Sequence, residues 1–282
     1  MNRQCGWKMS LKVCCESIRK WRGDARVFAV IALVVLFEWV QIEGLRRGCI
    51  ANDLSISCWV FPHLIVDVNA IFYYFGVLLL FCDAPFIDNQ QMDVILRVGK
   101  RNWFRGKIIY IMAASAMYFG LMFLVSVLEF VPYVGFSWEW EDMMNILSVD
   151  GAYGGIIRRN ILVAYMPIEA VIVEYFVCVF WAIFLGLLIF YCNLYRKNNI
   201  GMGIALLLVL MGTLVYFVDA YVMRVLIYFL PMAWTNIEVF KREAEGVSFV
   251  YAMSMLSIGI MVLVILIMKK SKSYSIDCQE EM

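Results

Sequence analysis

The sequence predicts an all-α, polytopic membrane protein: a six-helix transmembrane bundle preceded by an amphipathic helix lying in the membrane interface. Three observations carry this. Of 282 residues, 63% are hydrophobic. The apolar residues gather into six stretches near the roughly 20 helical residues needed to cross about 30 Å of hydrocarbon. Lysine and arginine concentrate in one alternating set of the connecting segments.

The six stretches run approximately over 27–45, 64–82, 108–132, 168–192, 200–222 and 248–268. Orientation follows from the basic residues, because the insertion machinery and the anionic inner leaflet hold Lys and Arg on the cytoplasmic side. With the amino terminus inside, the leading segment carries Arg3, Lys8, Lys12, Arg19, Lys20, Arg22 and Arg26. The second-to-third loop adds Arg97, Lys100, Arg101, Arg105 and Lys107, the fourth-to-fifth loop Arg196 and Lys197, and the carboxyl tail Lys269, Lys270 and Lys272. Together these are 17 of the 24 lysines and arginines. Both ends of the chain are therefore expected in the cytoplasm.

Ahead of the first stretch, Trp7, Leu11, Cys14, Ile18 and Trp21 recur at steps of three and four, the spacing of one helical face, between lysines and arginines. The pattern predicts an interfacial helix over 4–22, its cations towards anionic headgroups. No small-residue cleavage site follows the first apolar stretch, so the segment is read as retained. The whole chain, 1–282, is expected to form one membrane-embedded domain.

The second-to-third loop is more than a linker. Pro85 disfavours a helical Ala84 and predicts that the second helix ends near there. Beyond it Met92, Leu96, Gly99 and Trp103 return at helical spacing among charges, predicting a short cytoplasmic helix with one docking face. Outside, 133–167 combines Trp138 and Trp140 with acids and with Gly151, Gly154 and Gly155, which suggests interfacial anchoring and a bend. The apolar stretch 222–234, interrupted by Pro231, is too short to cross and is read as a re-entrant or interfacial element.

The residue inventory argues against an enzyme. His63 is the only histidine, so the His-Glu-x-x-His ligand set of a metalloprotease has no source. The phosphate-binding loop Gly-x-x-x-x-Gly-Lys-[Ser/Thr] is absent: Arg101 follows Gly99-Lys100, and Val94 stands five residues before Gly99. Nine cysteines show no Cys-x-x-Cys pair, so neither a zinc cluster nor a disulfide framework is indicated. Cys49 and Cys58 share the first outer loop, either as two free thiols, which their spacing favours, or as a disulfide should that face be oxidising. No catalytic residue and no metal ligand is expected.

Ionisable residues within apolar stretches are costly and default to a functional reading. Glu38, Asp67, Glu169, Glu174, Asp219 and Arg224 qualify. Glu174 is the deepest acid by these boundaries, and Glu174, Glu38 and Asp219 are the candidates for a translocation path. The competing reading for each is interhelical hydrogen bonding or solvation at the outer face.

Taken together, these parts resemble the membrane-spanning permease subunit of a bacterial type-2 ATP-binding-cassette (ABC) exporter. The likeness rests on the amphipathic leading helix, six stretches with both ends inside, a structured basic second-to-third loop and extra outer segments before the sixth stretch. It also rests on the local runs Phe81-Cys82-Asp83-Ala84-Pro85-Phe86-Ile87-Asp88 and Leu96-Arg97-Val98-Gly99-Lys100-Arg101-Asn102-Trp103-Phe104-Arg105-Gly106-Lys107. The resemblance implies a location in the bacterial plasma membrane and a second permease, copy or homologue, as partner. It implies a separate ABC ATPase subunit that binds the ATP and magnesium, since this chain binds no cofactor directly. It makes 88–103 a coupling helix resting on that ATPase, with Asp88, Met92, Leu96, Arg97, Gly99, Arg101 and Trp103 as contact residues. The cargo implied is an amphipathic compound, a peptide or a lipid-linked molecule; nucleic acid is not an expected partner. The alternatives are an ATPase-independent membrane protein, such as an immunity factor, sensor or accessory subunit, and a secondary transporter. The last ranks lowest because neither inverted repeats nor midplane charges are evident.

Overall fold

In the computed structural model of the chain, residues 3–66, 68–86, 89–149, 156–195, 200–213, 222, 225–241 and 246–273 are described. Helix α1 covers Arg3–Arg19 and passes through a 3-10 turn, Lys20–Gly23, into α2, Ala25–Asn52. Asp24 starts α2 by accepting the Arg26 backbone N–H at 3.0 Å, which satisfies one of the amide donors a helix start leaves without an internal acceptor. Asp53, in the left-handed region at φ 51°, closes its far end.

The next apolar stretch is two helices: α3, Phe61–Leu64, and α4, Asn69–Phe81. The single helix expected over 64–82 is thus shortened. Phe61, Pro62, His63 and Leu64 are all buried in protein, and their apolar character records that burial. Helix α4 ends at Phe81, and the turn through Pro85 stops it as the residue before a proline predicts.

Helix α5, Asn89–Val98, precedes α6, Lys100–Leu128, which begins well before the expected 108. Two short helices follow, α7, Asp142–Val149, and α8, Arg159–Ala164. Helix α9 spans Pro167–Asn193 and α10 Ile200–Thr213. Two 3-10 turns, Pro231–Thr235 and Ile237–Lys241, lead to α11, Phe249–Ser273. A two-residue parallel pair, β1 (Ile56–Ser57) with β2 (Val134–Gly135), staples the loops after α2 and α6.

Four helices, α2, α6, α9 and α11, are long and apolar enough to cross a membrane; α4 and α10 are apolar but shorter. Helix α9 is the centre: 61% of its apolar window is buried, against 22% for α11 and 28% for α2, which stand at the rim. It packs on α4, α6, α10 and α11.

Contacts at the helix ends show that most of the described basic residues gather at one end of this bundle, with Arg46, Arg47, Arg158 and Arg159 towards the other. Asn193, closing α9, donates to the Ala84 carbonyl at 2.7 Å and accepts from Gly201 N–H at 3.0 Å, joining the ends of α4 and α9 to the start of α10. Arg26 at the start of α2 pairs with Asp83. The Lys270 ammonium near the end of α11 sits 4.3 Å above the Tyr195 ring. Helices α1 and α5 both pack against α6, and the contacts of α1 with Asn102, Lys107 and Tyr110 place it at this same end. The opposite end holds β1, β2, α3, α7, α8 and the 3-10 turns Pro231–Thr235 and Ile237–Lys241.

Candidate functional site

Two places emerge: a platform at the basic end, built from α1, α5 and the start of α6, and a set of buried polar groups inside the bundle.

At the platform, Gly99 is the elbow between α5 and α6. Its N–H bonds the Ile95 carbonyl at 2.9 Å, ending α5, while its own carbonyl accepts from Asn102 and Trp103 at 3.1 Å, starting α6. One residue serves as both stop and start only because it takes φ 85°, a region that costs an L side chain steric energy. A Cβ there would meet nothing within 4 Å, so backbone angle and not space requires glycine.

The elbow corrects the expected single docking face of Met92, Leu96, Gly99 and Trp103, because helical spacing does not carry across it. Leu96 is 83% exposed on α5, with Asp93 and Arg97 beside it, whereas Ile95 is buried against the body. Trp103 lies in α6, 1% exposed, edge-on to Phe104 with centroids 5.2 Å apart. It is a packing residue. Lys100 and Arg101 remain exposed at the start of α6. Asp88 and the side chain of Met92 lie outside the described residues.

Helix α1 lies along α6 in a groove opened by Gly106, where a Cβ would come within 2.6 Å of the Val13 Cβ and 2.8 Å of the Ser10 carbonyl oxygen. The Ser10 hydroxyl donates to the Asn102 carbonyl at 3.0 Å, Lys107 Nζ donates to Ser17 Oγ at 3.0 Å, and Trp21 Nε1 donates to Tyr110 Oη at 2.9 Å. The buried face of α1 is therefore Ser10, Val13, Cys14 and Ser17. The expected aromatic stripe splits: Trp21 turns inward, while Trp7, 56% exposed, and Leu11, 39% exposed, face out beside Lys8 and Lys12. The sequence reading missed Ser10 and Ser17; their three-to-four spacing with Gly6 and Val13 was the available signal.

Inside the bundle, Glu38 on α2 and Glu174 on α9 are both fully buried. Cys178, one turn along α9, donates its thiol to Glu174 Oε1 at 3.2 Å; the other Glu174 oxygen and both Glu38 oxygens have no hydrogen-bond partner among the described residues. Tyr73 and Tyr74 are neighbours on α4, and the Tyr74 hydroxyl donates to the Cys178 carbonyl, one turn from Glu174, at 3.5 Å. Tyr73 donates to Gln41 Oε1 at 2.8 Å and Tyr118 to the Tyr73 carbonyl at 2.7 Å. Buried polar atoms left unsatisfied in apolar surroundings are costly, which sets these two acids apart from ordinary packing. Asp219 lies outside the described residues.

At the opposite end, His63 Nδ1 accepts the Arg158 backbone N–H at 3.1 Å, and its ring meets Trp140 edge-on at 5.4 Å. Burial first, and the nearby Arg158 charge second, push its pKa down from 6.5 to about 3, so the ring is neutral and acts as an acceptor. Cys49 and Cys58 are buried free thiols. Among the described residues, no group of three or more His, Cys, Asp and Glu is placed to hold a metal ion. Compared with known proteins, the chain matches no family model, no curated protein and no solved structure.

Proposed function

We propose that this chain is the permease subunit of an ABC exporter, moving an amphipathic compound, peptide or lipid-linked molecule with ATP hydrolysed by a separate subunit. The observation that carries the reading is the platform: α5, turned through Gly99 into the long helix α6, presents Leu96 and Arg97 to solvent while α1 is clamped to the same stretch of α6. A merely lipid-bound basic loop needs no such elbow. The gathering of basic residues at that end supports a cytoplasmic orientation for it, with six membrane passages if α4 and α10 cross with the four longer helices.

In this reading a second permease, copy or homologue, completes the path, and Glu38 and Glu174 contribute polar groups to it. The ATPase subunit rests on α5 and the start of α6, with Leu96, Arg97 and Arg101 as contacts. ATP and magnesium bind the ATPase alone. Its closure on ATP moves α5, and because α5 continues through one residue into α6, that motion enters the bundle as a rigid-body shift. The energy is the differential affinity of the ATPase for ATP in the two states.

The test is purification from native membranes in mild detergent with mass spectrometry of whatever soluble protein accompanies the chain. A stoichiometric partner carrying an ATP-binding loop is expected. Its reproducible absence from folded protein contradicts the reading. Leu96→Glu combined with Arg97→Glu should then lower partner recovery at least tenfold with unchanged membrane insertion, both side chains being exposed.

A further inference from the structure

Lys107 is 2% exposed, and its ammonium is the meeting point of three separate pieces of chain. From α1 comes the Ser17 hydroxyl, accepting from Nζ at 3.0 Å while donating to the Val13 carbonyl at 2.9 Å. From the turn between α4 and α5 comes the Phe86 ring, its centroid 5.3 Å from Nζ. From α6 itself come Trp103, one turn earlier, and Tyr110, one turn later, at 5.5 and 5.8 Å. A cation held this close to aromatic faces is attracted by their quadrupoles, and more strongly where water is excluded. The rings also hold one another: Phe86 meets Tyr110 edge-on at 5.2 Å, and the Tyr110 hydroxyl accepts from Trp21 in the 3-10 turn that follows α1.

We infer that Lys107 is the positioning residue of the platform, the cation that makes α1, the 82–86 turn and the start of α6 move as one body. This rests on the permease reading for its consequence but on the geometry alone for its existence. Without the cation, α1 and the turn after it keep the Ser10–Asn102 and Trp21–Tyr110 hydrogen bonds and the small-residue contacts in the Gly106 groove. They lose the charged group that also reaches Phe86 in the 82–86 turn, and the outward Trp7 and Leu11 do nothing to hold α1 on α6. With the cation, a displacement delivered to α5 reaches α1 and the end of α4 together. Arginine keeps the charge and stacks well on aromatic rings; methionine keeps much of the volume and removes the charge.

The experiment is hydrogen–deuterium exchange by mass spectrometry on the purified full chain in detergent: wild type, Lys107→Met and Lys107→Arg. Lys107→Met should speed exchange at least tenfold over residues 13–22 and 82–86 and leave 174–190 in α9 unchanged, with Lys107→Arg within threefold of wild type. Wild-type exchange over 13–22 in Lys107→Met overturns the inference. Should Lys107→Met loosen α9 as well, Ser17→Ala decides: about threefold faster exchange confined to 13–22 supports the latch, and no change overturns it. No partner enters these measurements, so a wild-type purification lacking an ATPase sinks the permease reading and leaves the latch standing. Where wild type does carry an ATPase, Lys107→Met should retain less than a tenth of it and Lys107→Arg restore it; full retention on a loosened α1 overturns the positioning role.

Discussion

The two ends of the bundle are tied by different chemistry. At the basic end, side chains reach between helices: Lys107 to Ser17, Trp21 to Tyr110, Arg26 to Asp83. At the opposite end aromatic donors reach backbone carbonyls of irregular segments: Trp59 to Ser137 at 2.8 Å, Trp140 to Tyr165 at 2.9 Å, Tyr165 to Ile237 at 3.0 Å and Trp234 to Ile227 at 2.6 Å. Short turns leave carbonyls without a helical partner, and a buried carbonyl must find one, so these bonds fix shape. Helices have already satisfied their own backbones, so a side chain joining two of them fixes only their relative position. The basic end is therefore a set of stiff pieces clamped together, and the opposite end a cap whose shape depends on its clamps.

The largest effect should come from spoiling the closest joint. Gly106→Leu drives a side chain into Val13 and the Ser10 carbonyl; overpacking of this kind costs about 3 kcal/mol at the upper end of its usual range. Expected is release of α1, read as protease cutting within 10–22, with the opposite end still protected.

A pH experiment probes the cap. The His63 pKa falls from 6.5 to about 3 on packing, so neutral His63 is fully compatible with the packed cap above pH 6.5. Stability is lost as pH falls through 6.5 towards 3, because the unpacked form gains the proton. At 1.36 kcal/mol per pH unit the loss reaches about 2 kcal/mol at pH 5. Hydrogen exchange over 156–165 should accelerate between pH 7 and pH 5, once corrected for intrinsic rates, and His63→Gln should flatten the dependence.

A smaller loss, about 1 kcal/mol for one hydrogen bond, is expected of Trp140→Phe, which retains a ring against His63 and removes the donor to Tyr165. Thermal unfolding in detergent measures it. Glu174→Gln should be smallest, since a neutral side chain of the same shape keeps an oxygen that accepts from Cys178 and, as before, leaves one polar group without a partner among the described residues. Changed cargo dependence at unchanged stability would place Glu174 on the path; an unfolded variant would make it a structural residue.

Hydropathy found α9 almost to the residue, 168–192 against Pro167–Asn193, because a continuous apolar run bounded by proline and asparagine leaves little choice. It overran at 64–82, since burial in protein and burial in lipid select the same residues around His63. Periodicity located α1 but not the face it packs on α6. The stripe reads as facing the membrane interface, and Trp7 and Leu11 do face outward. What periodicity of large residues could not show is the second face, where the Gly106 groove admits only small side chains and Ser10 and Ser17 make the contact. Trp103 was misplaced for another reason: one glycine at positive φ resets helical phase, and spacing alone cannot announce it. Both Glu38 and Glu174 were legible as acids in apolar runs, but Tyr73 and Tyr74, distant in sequence on α4, come near Cys178 and Gln41 only through packing.

The most direct measurement places a photo-crosslinking amino acid at position 96 on α5 or at position 163 on α8, both strongly exposed, in cells with native membranes. The account predicts that position 96 captures a protein carrying an ATP-binding loop and that position 163 does not. Capture of lipid alone at position 96, in folded and inserted protein, would contradict it.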